Sequence, residues 1–288
     1  MNYNPFNASL GLALGGGGAK GIAHIGVLKS IKENNLDISY ISGTSAGAIV
    51  ASYFAFQKDL DLIEGLGDKL NAKNVLKFSF NSLGYSSTNS IREMLLKDIG
   101  DVKIEDAPIP LAICTTDIIK GESYFITHGS LIDAVCASVA VPGLFVPIEM
   151  HNRLLADGGI TENLPVNILK EMGAGIIIAV DLSGTPDYPK PKNVVEMVSN
   201  GLDIAIDFKT KKDLKKADIP ISLDLSAFSK FDNSENKNDI INIGYQTTEK
   251  QISKLKRHYK LNFFYAIKEF IKENIPFRLR VPQVFKNK

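Results

Sequence analysis

The serine at position 45 stands in a pentapeptide that is typical of an enzyme nucleophile. Residues 43–47 have the sequence Gly-Thr-Ser-Ala-Gly, which fits Gly-x-Ser-x-Gly, a pattern in which small residues let a strand turn sharply into a helix and expose the serine hydroxyl. Residues 40–42 can end a short strand, and the small and apolar residues of 46–56 predict a buried helix. Ordinary strand-to-helix turns also contain small residues, so the motif alone indicates Ser45 only as a candidate.

Four consecutive glycines follow the first apolar segment. Leu10–Leu14 predicts a buried strand, and residues 15–21 continue as Gly-Gly-Gly-Gly-Ala-Lys-Gly. Glycines leave backbone N–H groups accessible, and the helix predicted for residues 19–32 adds its positive N-terminal end. The loop therefore predicts an anion site, which could take a dinucleotide pyrophosphate, a nucleotide phosphate or the transient oxyanion of acyl transfer.

These three anions differ in how well the surrounding sequence supports them. Gly16, Gly18 and Gly21 match Gly-x-Gly-x-x-Gly, but Asp37 precedes the next strand, whereas the dinucleotide motif needs an acidic residue at its end. A P-loop would have Ser or Thr after Lys20, where this chain has Gly21. The oxyanion interpretation places N–H donors and Ser45 at the carboxyl ends of neighbouring parallel strands, where they can meet.

A carboxylate at a predicted tight turn is the third candidate element. Residues 153–160 form a short apolar run that ends in Asp157-Gly158-Gly159. An isolated Asp-Gly-Gly most often caps its own turn, but together with Ser45 and the glycine loop it supplies a candidate base.

The identity of the base stays open on the residues alone. A serine hydroxyl becomes nucleophilic when a base accepts its proton, and the usual base is histidine. His24 follows the glycine loop, His128 and His151 flank turns, and His258 lies in a basic segment near the C-terminus. An α/β-hydrolase has its histidine last in chain order, which leaves His258 as the histidine alternative to Asp157.

These elements occur in an order that resembles the patatin-like phospholipase family, in its bacterial branch. The resemblance rests on Gly16–Gly21, on the Ser45 motif, on Ala137–Phe145 with its Pro-Gly, and on Asp157-Gly-Gly. It implies a three-layer α/β/α fold with a central, mainly parallel sheet, and a Ser45–Asp157 dyad in which Asp157 is the base. Lys20 is a departure from the family, which more often has Arg at this position. Lysine keeps the positive charge of arginine but lacks its planar, forked guanidinium group.

We expect a serine acyl hydrolase that cleaves lipid esters and needs neither a cofactor nor a metal. Ser45 attacks the carbonyl carbon, and water activated through Asp157 hydrolyses the acyl-enzyme. Desolvation should raise the pKa of Asp157. The backbone N–H groups of Gly16, Gly17 and Gly18 form the oxyanion hole, and the supporting motif residues are Lys20, Gly21, Gly43, Gly47, Gly158 and Gly159. Lys20 either favours anionic headgroups or only holds the loop.

Two other function classes stay open beside this hydrolase. The first is a dinucleotide-binding oxidoreductase that uses Gly16, Gly18 and Gly21. The second is a lipid-binding protein with the same scaffold and no turnover. Labelling of Ser45 by an organophosphonate would favour the hydrolase, and saturable NAD(P) binding would favour the oxidoreductase.

Composition limits the class of protein. A chain of 288 residues with 44% hydrophobic content predicts one large α/β domain, with residues 8–182 as the catalytic core and 183–288 as its C-terminal remainder. The net charge of +1 gives no electrostatic case for nucleic acid. We see no signal peptide and no membrane span, so we expect a cytoplasmic protein. A lipid or phospholipid ester is the expected partner, contact with a membrane surface stays open, and no pattern indicates an oligomeric state.

Three further expectations concern the helices and loops. Residues 194–208 space their apolar side chains as one helical face, which predicts a helix packed on the sheet in preference to a membrane-seeking surface. Residues 78–89 predict a loop, either near the mouth of the site or as an Ω-loop with no role in substrate binding. Residues 240–274 predict two helices, and the aromatic segment Leu261–Ile271 of the second is expected to dock on the body.

Overall fold

Buried aliphatic segments form the strands at the centre of the structure. The structure is a computed structural model, and it describes residues 9–69, 78–81, 84–184, 188, 190–192, 194–230 and 234–274. The description does not include the side chains of residues 78–81, 84, 85, 195, 196 and 257–274. The predicted docking of Leu261–Ile271 and the side chain of His258 therefore lie outside the described residues. The strands are β1 (Leu10–Leu14), β2 (Ile38–Thr44), β3 (Phe78–Asn81), β4 (Gly84–Ser86), β5 (Leu111–Asp117), β6 (Glu122–Ile126), β7 (Gly143–Phe145), β8 (Ile148–Met150), β9 (Arg153–Asp157), β10 (Ile176–Asp181) and β11 (Ile219–Ser222).

The helices alternate with the parallel strands. They are α1 (Ala23–Glu33), α2 (Ala46–Ala55), α3 (Leu60–Glu64), α4 (Leu66–Lys69), α5 (Asn89–Asp98), α6 (Leu131–Ser138), α7 (Gly159–Glu162), α8 (Val166–Glu171), α9 (Val194–Leu214) and α10 (Lys237–Asn274). A 3₁₀ turn at Gly18–Ile22 precedes α1. The helix predicted for residues 19–32 is therefore a short 3₁₀ segment followed by an α-helix.

The main sheet is mixed, with a parallel part and an antiparallel end. Its order is β11-β10-β1-β2-β5-β9-β8, and β6 also pairs with β5. Strands β11, β10, β1, β2 and β5 are parallel, whereas β6, β8 and β9 join by antiparallel pairs. The carboxyl ends of β1 and β2, which precede the glycine loop and Ser45, therefore lie at the same edge of the sheet.

Helices cover both faces of this sheet, and the predicted three-layer α/β/α fold is confirmed. Alternate residues of a strand point to opposite faces. Leu12 packs in a large cluster with residues of α1, α2 and α10, while its neighbour Ala13 packs with Val166 and Leu169 of α8.

Two predictions about individual elements were wrong. Residues 78–89 do not form only a loop, because β3 pairs with β4 and β4 pairs in parallel with the distant β7. Residues 240–274 form part of one helix, α10, which runs for 38 residues. No proline interrupts this segment, so nothing in the sequence ends the first predicted helix.

The apolar face of α9 is exposed, contrary to the predicted packing on the sheet. Val194 and Phe208 keep 78% and 67% of their surface accessible. Among the described side chains of this helix, the buried ones are instead polar: Asp207, Thr210 and Asp213. Helical periodicity identified the apolar face correctly, but polar partners elsewhere in the chain decide which face turns inward. In the described part of the chain, no helix is both long enough and apolar enough to cross a membrane.

Helices α1 and α10 cross at a close glycine contact. A Cβ atom on Gly26 would overlap the carbonyl oxygen of Ile241, and one on Gly244 would overlap that of Ala23. The two backbones can approach this closely because neither glycine carries a side chain.

We expect Gly26→Ala to lower the free energy of unfolding by about 1–3 kcal/mol, because the added methyl group must push the helices apart. The matched control is Gly201→Ala in α9, where an added Cβ meets no atom within 4 Å. That change should raise stability by up to about 1 kcal/mol through helix propensity. Urea unfolding followed by circular dichroism measures both, and equal shifts of the same sign would contradict the crossing described here.

Candidate active site

Ser45 lies in a strained turn between β2 and α2. Its backbone has φ 52° and ψ −122°, a conformation with positive φ that costs free energy for a residue with a side chain. A Cβ on Gly47 would overlap the carbonyl oxygen of Leu14, and one on Gly43 would lie 2.5 Å from the carbonyl oxygen of Gly47. The two motif glycines are thus required by the close approach of backbone on both sides of Ser45.

Ser138 holds the backbone of this turn. Its hydroxyl accepts a hydrogen bond from the Ser45 N–H at 2.8 Å and donates to the carbonyl oxygen of Cys114 at 2.7 Å. Ser138 lies within the segment Ala137–Phe145 of the family resemblance, which indicates no role for it. A polar residue among buried small residues was the available signal, but its partner is 93 positions away.

Asp157 reaches Ser45 because of the strand pairing on β5. Thr44, the last residue of β2, pairs with Cys114, and Asp157, the last residue of β9, pairs with Thr115. Strand β6 pairs with residues 113–117, so β2 and β9 share the opposite edge of β5. They run towards each other along that edge, and Ser45 and Asp157 meet at the junction.

The carboxyl group of Asp157 is buried beside Ser45 and Gly159. Burial raises its pKa to about 6, while hydrogen bonds from the Ser45 side chain and the Gly159 N–H act in the opposite direction. The Gly159 N–H donates to Oδ1 at 2.7 Å. The pKa is raised, as the sequence analysis expected, because the loss of hydration outweighs two hydrogen bonds.

The glycine loop keeps two of its N–H groups available. The Gly16 N–H donates to the backbone oxygen of Asn163 at 3.3 Å and to its Oδ1 at 3.1 Å, and the Ala19 N–H donates to the carbonyl oxygen of Lys230 at 2.9 Å. Within the described residues, the N–H groups of Gly17 and Gly18 donate to no protein acceptor. Two free donors suit one oxygen atom better than a pyrophosphate.

Asn163 and Lys230 were missed as positioning residues. Asn163 anchors the loop by accepting hydrogen bonds from the N–H group of Gly16. The Gly16 N–H is therefore not free to stabilise an oxyanion, as the prediction of three donors requires. The partners are 147 positions apart, and an asparagine in a Leu-Pro context has no local signature for this contact.

The remaining motif glycines allow tight packing around the two catalytic candidates. A Cβ on Gly21 would lie 2.5 Å from the Cβ of Ala46, and one on Gly158 would overlap the carbonyl oxygen of Cys114. Gly21 therefore lets the loop lie against α2, and Gly158 lets the Asp157 turn lie against β5.

None of the histidines with described side chains lies at the site. His24 is buried, its Nε2 is 2.8 Å from the carbonyl oxygen of Gly15, and burial lowers its pKa to about 4. His128 and His151 are exposed and contact Thr127 and Tyr124. Among the described side chains, Asp157 is the candidate base that lines the cavity together with Ser45 and affects its chemistry at close range.

A cavity of about 250 Å³ opens beside these groups. Ser45, Asp157 and the loop of Gly16–Gly18 line one part of it. The other walls are mainly apolar and include Ile49, Val139, Leu144, Phe145, Leu182 and Ile206. No cluster of His, Cys, Asp or Glu that could hold a metal occurs in the described residues.

Two lysines also line the cavity. Lys20 is only 9% exposed, and burial, followed by the charge of Lys230, lowers its pKa. Lys230 is paired with Asp203 at 2.7 Å, whereas in the described part of the chain no ion pair or hydrogen bond is formed by the ammonium group of Lys20. The cavity thus combines apolar walls with a lysine that forms no ion pair among the described residues and that lies near the carboxylates of Asp203 and Asp207.

Comparisons with known proteins show what this chain is similar to. The family model described as patatin-like phospholipase matches residues 12–170. An uncharacterized NTE family protein of Mycobacterium tuberculosis is 38% identical over 181 residues, which are 62% of this chain and 50% of that protein. Lysophospholipase NTE1 of Yarrowia lipolytica is 32% identical over 197 residues, 66% of this chain and 14% of that protein. The chain therefore spans half or less of the length of these relatives.

A solved structure supports the fold. The crystal structure of VipD from Legionella pneumophila is similar with a TM-score of 0.58 and 18% sequence identity. The alignment covers 87% of this chain and 67% of that chain. At this level of identity the similarity concerns the fold alone.

We expect Asp157→Asn to be more stable than the wild type at pH 8. A rise of the pKa from an ordinary 3.8 to about 6 corresponds to about 3 kcal/mol of stability that is present at low pH and lost as pH rises through the folded pKa. The neutral amide does not titrate, so the advantage of the variant should shrink to roughly half by pH 5. Urea unfolding at both pH values measures this, with the exposed Asp101→Asn as control. An advantage independent of pH would contradict the burial argument.

Proposed function

The chain belongs to the patatin-like phospholipase family, and on this basis we propose that it is a serine hydrolase of lipid carboxylic esters. The observation that carries the proposal is the placement of Ser45 beside the buried carboxyl group of Asp157, at the junction of β2 and β9 and in one cavity. It joins a nucleophile to a base beside two unoccupied N–H donors and an apolar cavity, the parts that acyl transfer requires.

In the first proposed step, Ser45 attacks the ester carbonyl carbon while Asp157 accepts its proton. The carbonyl π electrons move to oxygen, and the N–H groups of Gly17 and Gly18 stabilise the resulting oxyanion. Gly16 positions the loop through Asn163. When the tetrahedral intermediate collapses, the ester C–O bond breaks and the leaving alcohol takes the proton from Asp157. One well-placed oxyanion donor contributes about 10²–10³ in rate.

In the second proposed step, water replaces the alcohol. Asp157 accepts a proton from water as its oxygen attacks the acyl-enzyme carbonyl carbon. The new intermediate then expels the Ser45 oxygen, which recovers the proton, and the carboxylic acid leaves. Asp157 serves as base and acid in alternation, and a pKa of about 6 suits both roles because it is close to neutral pH.

We propose a phospholipid or lysophospholipid as the substrate. The apolar walls of the cavity suit an acyl chain, and the buried, unpaired ammonium of Lys20 suits an anionic phosphate group in the same cavity. The relative from Yarrowia lipolytica carries the name lysophospholipase, which supports the same class of substrate.

We also propose that residues 8–182 are the catalytic core and 183–288 the remainder of the same α/β domain. All the proposed catalytic groups lie in the first part. The second part extends the sheet, because β11 pairs with β10, and it adds Leu202, Ile206 and Lys230 to the cavity walls.

We expect Ser45→Ala and Asp157→Asn to lower kcat for a soluble p-nitrophenyl ester by at least about 10³-fold, because members of a nucleophile–base unit act together. An organophosphonate should label the wild type and not Ser45→Ala. His258→Ala serves as control and should retain activity, with folding of each variant checked by circular dichroism.

Other outcomes would favour other mechanisms or functions for this protein. Full activity of Asp157→Asn would exclude the dyad and reopen the search for a histidine base. A folded wild type that hydrolyses no ester of a broad panel would favour the non-catalytic lipid-binding protein, and saturable NAD(P) binding would favour the oxidoreductase.

The value of kcat/KM for the soluble ester should rise with pH, reach half of its maximum near pH 6 and level off at higher pH. The free enzyme needs ionised Asp157 as base, and its pKa is raised to about 6, so activity falls tenfold for each pH unit well below that value. A variant with both His128→Ala and His151→Ala should keep the midpoint. A profile that is flat from pH 5 to pH 8 would argue against a carboxylate base.

A further inference from the structure

Helix α9 is amphipathic, but its apolar side faces solvent and its polar side faces the protein. Successive helical residues are rotated by about 100°, so Val194, Met197, Val198, Ile204 and Phe208 share one side of the helix, and all five are exposed. A helix of a water-soluble protein normally turns such a side inward. An apolar face of this length on the surface marks a site of association.

The polar side of α9 is fixed to the protein by specific contacts. Asp203 pairs with Lys230 at 2.7 Å, and Asp207 accepts a hydrogen bond from the hydroxyl of Tyr188 at 2.7 Å. The ammonium group of Lys209 lies 3.9 Å from a carboxyl oxygen of the buried Glu162, which belongs to α7. A rotation that buried the apolar side would break all of these contacts, so the outward orientation is stabilised by the rest of the chain.

The same helix forms one wall of the proposed catalytic cavity. Ser199, Asp203, Ile206 and Asp207 line the cavity from the polar side of α9. Leu202 also lines it and is 38% exposed. Apolar surface is therefore continuous from the cavity wall, through Leu202, to the outer face of the helix.

Cations stand at the C-terminal end of the exposed face. Lys211 and Lys212 are exposed, and the ammonium group of Lys212 lies 4.4 Å from the centre of the Phe208 ring. An apolar stripe next to lysines is typical of helices that lie in the plane of a membrane surface, where apolar groups enter the acyl region and lysines contact anionic headgroups.

We infer that α9 is the surface by which this protein docks on an anionic phospholipid bilayer. The helix lies in the plane of the interface, with Val194, Met197 and Phe208 inserted and Lys211 and Lys212 at the headgroups. Docking opens the cavity wall at Leu202 towards lipid, so a substrate chain can enter without crossing water. This last consequence rests on the proposed hydrolase function, whereas the docking itself does not require turnover.

Vesicle flotation tests the docking without hydrolysis when Ser45→Ala is the background. We expect this protein to float with vesicles of phosphatidylcholine and phosphatidylglycerol in a 3:1 ratio. Adding Met197→Ser and Phe208→Ser should lower the bound fraction at least tenfold. Ile119→Ser is the matched control, because Ile119 is 74% exposed on the β5–β6 turn and far from α9 in sequence; it should float normally.

An intrinsic fluorescence reporter gives an independent readout. The chain contains no Trp, so Phe208→Trp places a single indole on the proposed docking face. Its emission should shift to shorter wavelength when vesicles are added, while Ile119→Trp should not shift. Emission of the Phe208→Trp protein that is unchanged by vesicles would overturn the proposal.

Activity assays separate this proposal from the proposed function. The Met197→Ser, Phe208→Ser variant should hydrolyse a soluble p-nitrophenyl ester as fast as the wild type and vesicle phospholipid at least tenfold more slowly. If no ester is hydrolysed but flotation depends on α9, the docking stands and the hydrolase fails. If the wild type does not float, or the double variant floats equally, the docking is wrong. A dimer that these substitutions dissociate, without vesicle binding, would show that a second copy covers the face.

Discussion

The pairing of two strands along one edge of β5 is the constraint on which the candidate site depends. Strands β2 and β9 occupy successive positions on that edge and run towards each other, so Ser45 and Asp157 are the residues that meet. Asp157 ends strand β9 of the central sheet, and Ser45 directly follows strand β2 in a turn that the Ser138 hydroxyl holds. A site held by such rigid elements keeps the short distances that proton transfer needs.

The same arrangement stores free energy at the site. Ser45 has a positive φ, and the carboxyl group of Asp157 is buried with a raised pKa. Both features destabilise the fold, and both favour the proposed chemistry, since the turn exposes the hydroxyl and desolvation makes the carboxylate a stronger base. The extensive aliphatic core on both faces of the sheet offsets these local costs.

The part of the chain beyond residue 182 connects this rigid centre with the surface. Lys230 binds the glycine loop through its backbone oxygen and α9 through its ammonium group. One residue thus links the proposed oxyanion donors to the helix that carries the exposed apolar face. Because α9 also lines the cavity, the proposed docking on lipid and the proposed catalytic groups depend on the same helix.

The sequence by itself determined the features that depend on neighbouring residues. The turn at Ser45, the glycine loop and the buried strand β1 follow from small residues and apolar runs, because these act over a few positions. Only the tertiary structure decided that Asn163 occupies the Gly16 N–H, that Ser138 holds Ser45, and that the apolar side of α9 faces outward. These outcomes depend on strand register and on partners far away in the chain, and a local pattern of residue types contains no information about either.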